Sequence, residues 1–163
     1  MNAGALLFLI IVILDQYTKY LAESYLAIGR SIEVIPGFFD LTLVYNPGAA
    51  FGMFGGLPDI YRRIVLWTVS VIGVGVVVYF LARETKNDRV AALSLAAILG
   101  GAAGNIIDRF RYDSVVDFLD VYWKNYHWPA FNVADSAISI GVTIIMFRLI
   151  FEKKTDSGAG QAT

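Results

Sequence analysis

Residues 114–138 read SVVDFLDVYWKNYHWPAFNVADSAI, and the fold turns on how this stretch is understood. Near either end an aspartate sits in an apolar setting, Asp117 in VVDF and Asp135 in NVADSAI. Asp135 opens a long hydrophobic segment, where an ionised carboxylate is costly unless it has a partner or a task. Two carboxylates held close together cannot both ionise cheaply, so they share a proton over a useful pH range. One can then take a proton from water while the other donates to a carbonyl oxygen. Each aspartate also has a purely structural role open to it. Ser114 to Asp117 and Asn132 to Asp135 both have the spacing of a helix capping box, where the cap contributes ~0.5–2 kcal/mol. Asp108, Asp113 and Asp120 lie nearby, and spacing alone does not choose among these acids.

Composition narrows the setting. Of 163 residues, 57% are hydrophobic and only 17% charged, with a mean hydropathy of +0.61. A soluble domain carries roughly 25% charged residues, so the deficit points to a membrane protein. A net charge of -1 gives no general attraction to nucleic acid. The absence of cysteine removes disulfides, thiolate metal sites and cysteine nucleophiles together. His127 is the sole imidazole, so a Ser-His-Asp triad would depend wholly on it, and a zinc site would need mostly carboxylates. Neither is expected, nor is any cofactor, and His127 reads as an interfacial or structural residue.

Working outward, the hydrophobic segments predict four transmembrane spans at about 3–21, 64–82, 90–107 and 132–150. The first apolar run, Ala3 to Leu14, falls short of the roughly 20 residues a span needs. It reaches that length by continuing through Asp15, Gln16 and Lys19. A signal-peptide core would want a basic residue before it and a small-residue cleavage pattern after it, and neither is clear here. Asp15 and Lys19 are four apart and share a helix face, as an anchoring ion pair or as part of a site. In the third span Gly100 and Gly104 have the spacing that lets membrane helices approach closely. Asn105, Asp108 and Arg109 cluster at its end, which fits either interfacial charge pairing or a site.

Between the first two spans, residues 23–59 carry turn signals at Gly29, Pro36-Gly37 and Asn46-Pro47-Gly48, while SIEVI and FFDLTLVY partly alternate. They predict a small extracytoplasmic β-structured segment. Asn46 is by local chemistry a turn residue, although the small GAAFG run beside it would let a substrate approach closely. Residues 110–131 are rich in tyrosine and tryptophan, which favour the headgroup region, and predict an interfacial helix or loop. The polar segment 152–163 reads as a mobile tail. The expected whole is a mainly α, polytopic membrane protein forming one domain over 1–163. Basic residues in the loop RETKNDR, with Arg148, Lys153 and Lys154, place both termini on the cytoplasmic side. Arg62, Arg63, Arg109 and Arg111 run against that rule. The polar candidates then gather at the outer face.

Five blocks together carry a resemblance: LDQYTK at 14–19, YNPGAAF at 45–51, GGAAGNIIDR at 100–109, VVDF at 115–118 and FNVADSAI at 131–138. In this order, on a four-span chain, they resemble the bacterial lipoprotein signal peptidase (signal peptidase II) family over nearly the whole length. The resemblance implies an intramembrane-type aspartic endopeptidase of the bacterial inner membrane. Its substrates would be diacylglyceryl-modified prolipoproteins, cut just before the lipidated cysteine. It implies Asp117 and Asp135 as the catalytic pair, and Asn46, Gly48, Asn105, Arg109 and Asn132 as residues around the substrate. Asp15 and Lys19 match motif positions and are assigned a supporting role. Membrane lipid and globomycin-like cyclic peptide inhibitors are further expected partners, with no metal and no nucleic acid. Two rival functions differ in what they require. A small proton- or ion-coupled transporter would want polar groups spread through the membrane's depth, where the second span offers only Thr68, Ser70 and Tyr79. A non-catalytic membrane scaffold would leave the acids and amides without a task.

Overall fold

A computed structural model describes residues 2–48, 58–84 and 88–156. Among them the chain forms helix α1 (Ala3–Tyr25), strands β1 (Ile32–Ile35) and β2 (Phe39–Asn46), and helices α2 (Asp59–Glu84) and α3 (Arg89–Tyr112). Strands β3 (Val115–Trp123) and β4 (Tyr126–His127) and helix α4 (Val133–Asp156) complete it. Local chemistry sets several of these boundaries. The Asn2 side chain accepts from the Ala5 N–H at 2.8 Å and caps α1, and Asp88 does the same for α3 through Ala91 at 2.9 Å. Asp113 ends α3 in the left-handed conformation, with φ 54°, its N–H donating to the Arg109 carbonyl.

The helices run past the expected span limits: α1 and α3 extend beyond 21 and 107, and α2 starts before 64. Helix α1, residues Asp59–Phe80 of α2, and α3 are each long and apolar enough to cross a membrane. Their outward side chains, such as Ile13, Ile64, Val71 and Ile72, are exposed, as lipid-facing residues must be. The protein is a mainly helical membrane protein with a small antiparallel sheet. The segment expected as a tail from residue 152 is helical to Asp156, and 157–163 lie outside the described residues, as do 49–57, which hold most of the GAAFG run.

Helix α3 lies between α1 and α4, and glycines set how close they come. A methyl group at Gly100 would press on the Ile11 side chain and Phe8 carbonyl of α1, and one at Gly104 would collide with the Asp15 carboxylate. Gly101 would strike the Ala134 carbonyl of α4, and Gly141 would meet the Ser94 carbonyl of α3 at 2.7 Å. So the pair Gly100 and Gly104 faces α1, while Gly101 and Gly141 form the contact with α4. Helix α2 stands to one side and meets α3 through Trp67 and Phe110, ring centroids 4.4 Å apart.

The strands order as β1-β2-β3-β4, all antiparallel. Thus the sheet joins the expected β segment to residues predicted as an interfacial helix or loop, which form β3 and β4 instead. The first four residues of β3 are all buried, with α1 and α3 packed against the strand and β2 paired along its edge. That removes the two-residue alternation by which a strand is recognised. Leu43, Val116 and Phe118 pack with Ala22 of α1 to seat the sheet on the helices. Glu23 fastens the joint, accepting from Tyr45 at 2.8 Å and Tyr112 at 3.3 Å.

Candidate active site

The sheet register brings Asn46 to Asp117. Val44 of β2 pairs with Asp117 of β3, so Asn46, two residues along, lies diagonally opposite on the same face. Its side-chain amide donates to Asp117 Oδ2 at 3.0 Å. On the other flank of β3, Leu119 bridges to Phe131, with N–H···O distances of 2.9 and 3.0 Å. The next residue, Asn132, is thereby placed beside Asp117 and donates to its Oδ1 at 2.7 Å.

Asn132 also starts α4. Its Oδ1 accepts from the Asp135 N–H at 2.9 Å, and its own N–H donates to Asp135 Oδ2 at 3.2 Å. The capping box expected from the spacing therefore forms, and it holds the Asp135 carboxylate. The corresponding box at Ser114 does not exist, since Asp117 belongs to a strand. Asn105 of α3 completes the frame, donating to Asp135 Oδ1 at 2.8 Å and accepting from the Asn132 amide at 3.2 Å. Two carboxylates from different elements are thus joined through one fully buried asparagine.

Asp117 and Asp135 line a cavity of about 550 Å³ with Asn46, Gly48, Asn105 and Arg109. Trp128, Pro129 and Ala130 form part of its rim, a contribution the sequence suggested only as general aromatic content. Burial is the main cause that raises the Asp117 carboxyl, to about 7. The Asn46 donor opposes this, the Asp135 charge adds to it, and the Asn132 amide opposes it again. A carboxyl in that range exchanges its proton near neutral pH. Arg109 donates to the Asn105 carbonyl at 3.3 Å and stands in the field of Asp135, Asp108 and Asp117.

Asp15 and Lys19 do not line the cavity. They sit deeper, 0% and 2% exposed, in a cluster the sequence revealed only in part. Lys19 Nζ lies 2.9 Å from Asp15 Oδ2, 2.6 Å from Asp108 Oδ2 and 3.0 Å from Asn105 Oδ1. Gln16 donates to Asp108 Oδ1 at 2.9 Å. The sequence singles out Asp108 only as part of a polar cluster that fits charge pairing or a site, and gives Gln16 no role; the available signal is their presence in the two motif blocks that hold Asp15, Lys19 and Asn105. His127 pairs with Asp120 at 2.9 Å and stacks on Tyr122, away from the cavity lining. No group of three or more metal-ligating side chains occurs among the described residues.

Apolar helices and a small sheet that together bring two carboxylates to the wall of one cavity fit a membrane enzyme. In line with this, the chain superimposes on two bacterial membrane enzymes solved by the in meso method. One has a TM-score of 0.83 and 32% identity, covering 98% of this chain and 93% of the other. The second has a TM-score of 0.78 and 33% identity, covering 91% and 92%. Residues 7–151 match the family model for signal peptidase (SPase) II. Relatives named lipoprotein signal peptidase include one from Syntrophus aciditrophicus, 42% identical across 96% of this chain and 100% of the relative. Another, from Desulforapulum autotrophicum, is 48% identical across 90% and 91%. The chain belongs to the signal peptidase II family. It is therefore a protease of the membrane, and the transporter and scaffold alternatives fall away.

Proposed function

We propose that the protein removes the signal peptide from diacylglyceryl-modified prolipoproteins by aspartic chemistry, with Asp117 and Asp135 as the catalytic pair. The observation that carries this reading is the joining of the two carboxylates through Asn132 at the wall of one cavity. In this reading Asp135 takes the part of the general base. It sits in the first turn of α4, where the helix dipole favours a negative charge, and Arg109 adds a positive field. Asp117, pushed up to about 7, carries the shared proton.

Water bound between them gives a proton to Asp135 as its oxygen attacks the scissile carbonyl carbon. Asp117 gives its proton to the carbonyl oxygen, forming a neutral gem-diol. Asp135 then passes its proton to the nitrogen of the lipidated cysteine while Asp117 recovers one from a diol hydroxyl. The C–N bond breaks, and both aspartates return to their starting states. In this reading Asn46, Gly48 and Asn105 border the substrate in the cavity, while the two asparagine amides orient the carboxylates. The cysteine's acyl chains remain in the bilayer, because the site lies at the membrane's edge.

This reading includes α4 as a fourth span, both termini in the cytoplasm and the cavity facing outward across the bacterial inner membrane. Globomycin-like cyclic peptides would compete for the same cavity. The test is cleavage of a diacylglyceryl-modified prolipoprotein in detergent by Asp117→Asn and Asp135→Asn variants. Each is expected to be inactive yet folded; substantial turnover by either would end the assignment. An unlipidated prolipoprotein cut as fast as the modified one would refute the lipid requirement.

A further inference from the structure

Lys19 has three ammonium protons and three oxygens within 3.0 Å, contributed by Asp15, Asp108 and Asn105. The second oxygen or second partner of each carboxylate is informative. Asp15 Oδ1 accepts the N–H of Ala134 at 2.9 Å, the residue immediately before Asp135. Asp108 Oδ2 accepts the N–H of Val116 at 3.1 Å, the residue immediately before Asp117. One ammonium therefore ties together two carboxylates, each gripping the backbone one residue ahead of a dyad member. Asn105 adds a third link, because an ammonium can only donate. Facing Lys19, Asn105 must present its oxygen, which leaves its N–H group for Asp135.

We propose that Asp15, Lys19 and Asp108 form a spacing device that sets the separation of the two catalytic carboxylates, with Lys19 as its central positioning residue. This rests on the reading of Asp117 and Asp135 as the dyad. None of the three lines the cavity, so their effect on chemistry runs through the backbone at Val116 and Ala134 and through the amide of Asn105. The charged groups around Lys19 are Asp15 on its own helix and Asp108 on α3, with Asp117 on β3 interacting at longer range. Only Asp15 and Asp108 touch it as ion pairs. Gly104 leaves the space in which the Asp15 carboxylate turns toward the cluster.

The test is steady-state cleavage of the lipid-modified prolipoprotein by Lys19→Met. Displacing the dyad by a fraction of an ångström to an ångström lowers kcat about 10²-fold, while KM stays within threefold because no cavity contact is lost. Lys19→Met leaves two unpaired buried carboxylates, so Lys19→Met/Asp108→Asn is measured beside it. That double variant keeps the cluster's net charge at -1 while removing the bridge. Its kcat is expected to fall equally, and in an Asn105→Ala background the further loss from Lys19→Met should be smaller than in the wild type. Gly141→Ala, which crowds α3 against α4 away from the site, should lower the melting temperature and leave kcat unchanged. A folded double variant with kcat within threefold of wild type would overturn the proposal, as would a rise in KM with kcat intact. If Asp117→Asn or Asp135→Asn retained turnover, the dyad itself would fail, an outcome separable from full activity in the Lys19 variants alone.

Discussion

Two carboxylate pairs, one sealed and one at a cavity wall, lie near each other in this protein, and they are handled in opposite ways. Asp15 and Asp108 share a cation, Lys19, and are sealed from solvent. Asp117 and Asp135 share no cation in direct contact; asparagine amides hold them at the wall of a cavity. The first arrangement places a cation against both carboxylates at short range. The second supplies donors strong enough to orient the carboxylates but leaves the negative charge incompletely compensated. In the second, Asp117 is pushed up to about 7 at the cavity wall, the range the proposed chemistry needs. A buried acid becomes structural or reactive according to whether its compensation is an ion or a dipole.

Substitutions that exchange these roles should have unequal effects. Asp135→Asn or Asp117→Asn should reduce kcat by at least about 10³-fold while the melting temperature changes little, read by cleavage assay and thermal unfolding in detergent. Asp15→Leu should do the reverse in emphasis, destabilising the fold by about 3–5 kcal/mol, because Lys19 loses an ion pair and the Ala134 N–H its acceptor. Gly104→Ala should cost about 1–3 kcal/mol by pushing the Asp15 carboxylate out of line. The smallest effect concerns pH. Asp117 holds its proton up to about 7, so kcat/KM should lose about tenfold per pH unit above that value. Because its pKa in the folded protein is raised, its contribution to stability is fully present below the unfolded value of about 3.9 and lost as pH rises through about 7. Asp117→Asn should flatten that part of the stability profile, and an unchanged slope would contradict the assignment of the proton to Asp117.

Much of this was legible in the sequence where local spacing and tertiary structure agree. Asn132 and Asp135 were readable as a capping box because a helix N-terminus is a local event. Asp15 and Lys19 were readable as a pair because four residues is one helical turn. The strand carrying Asp117 was not, since a segment covered on both faces has no alternation, and its tyrosines and tryptophan suit an interface as well as a sheet. Nor could spacing show that Gly100 and Gly101, adjacent in sequence, serve different helix contacts. The diagonal between Asn46 and Asp117 depends on a strand register with an irregularity between Leu41 and Val44, which periodicity does not encode.

Asn132 links Asp117 near the start of β3 to the first turn of α4. The two carboxylates are therefore not held by independent pieces of the molecule. Fraying the first turn of α4 would loosen the grip on Asp117 in the sheet as well as on Asp135 in the helix, so the order of a helix end is transmitted to a strand that it does not belong to.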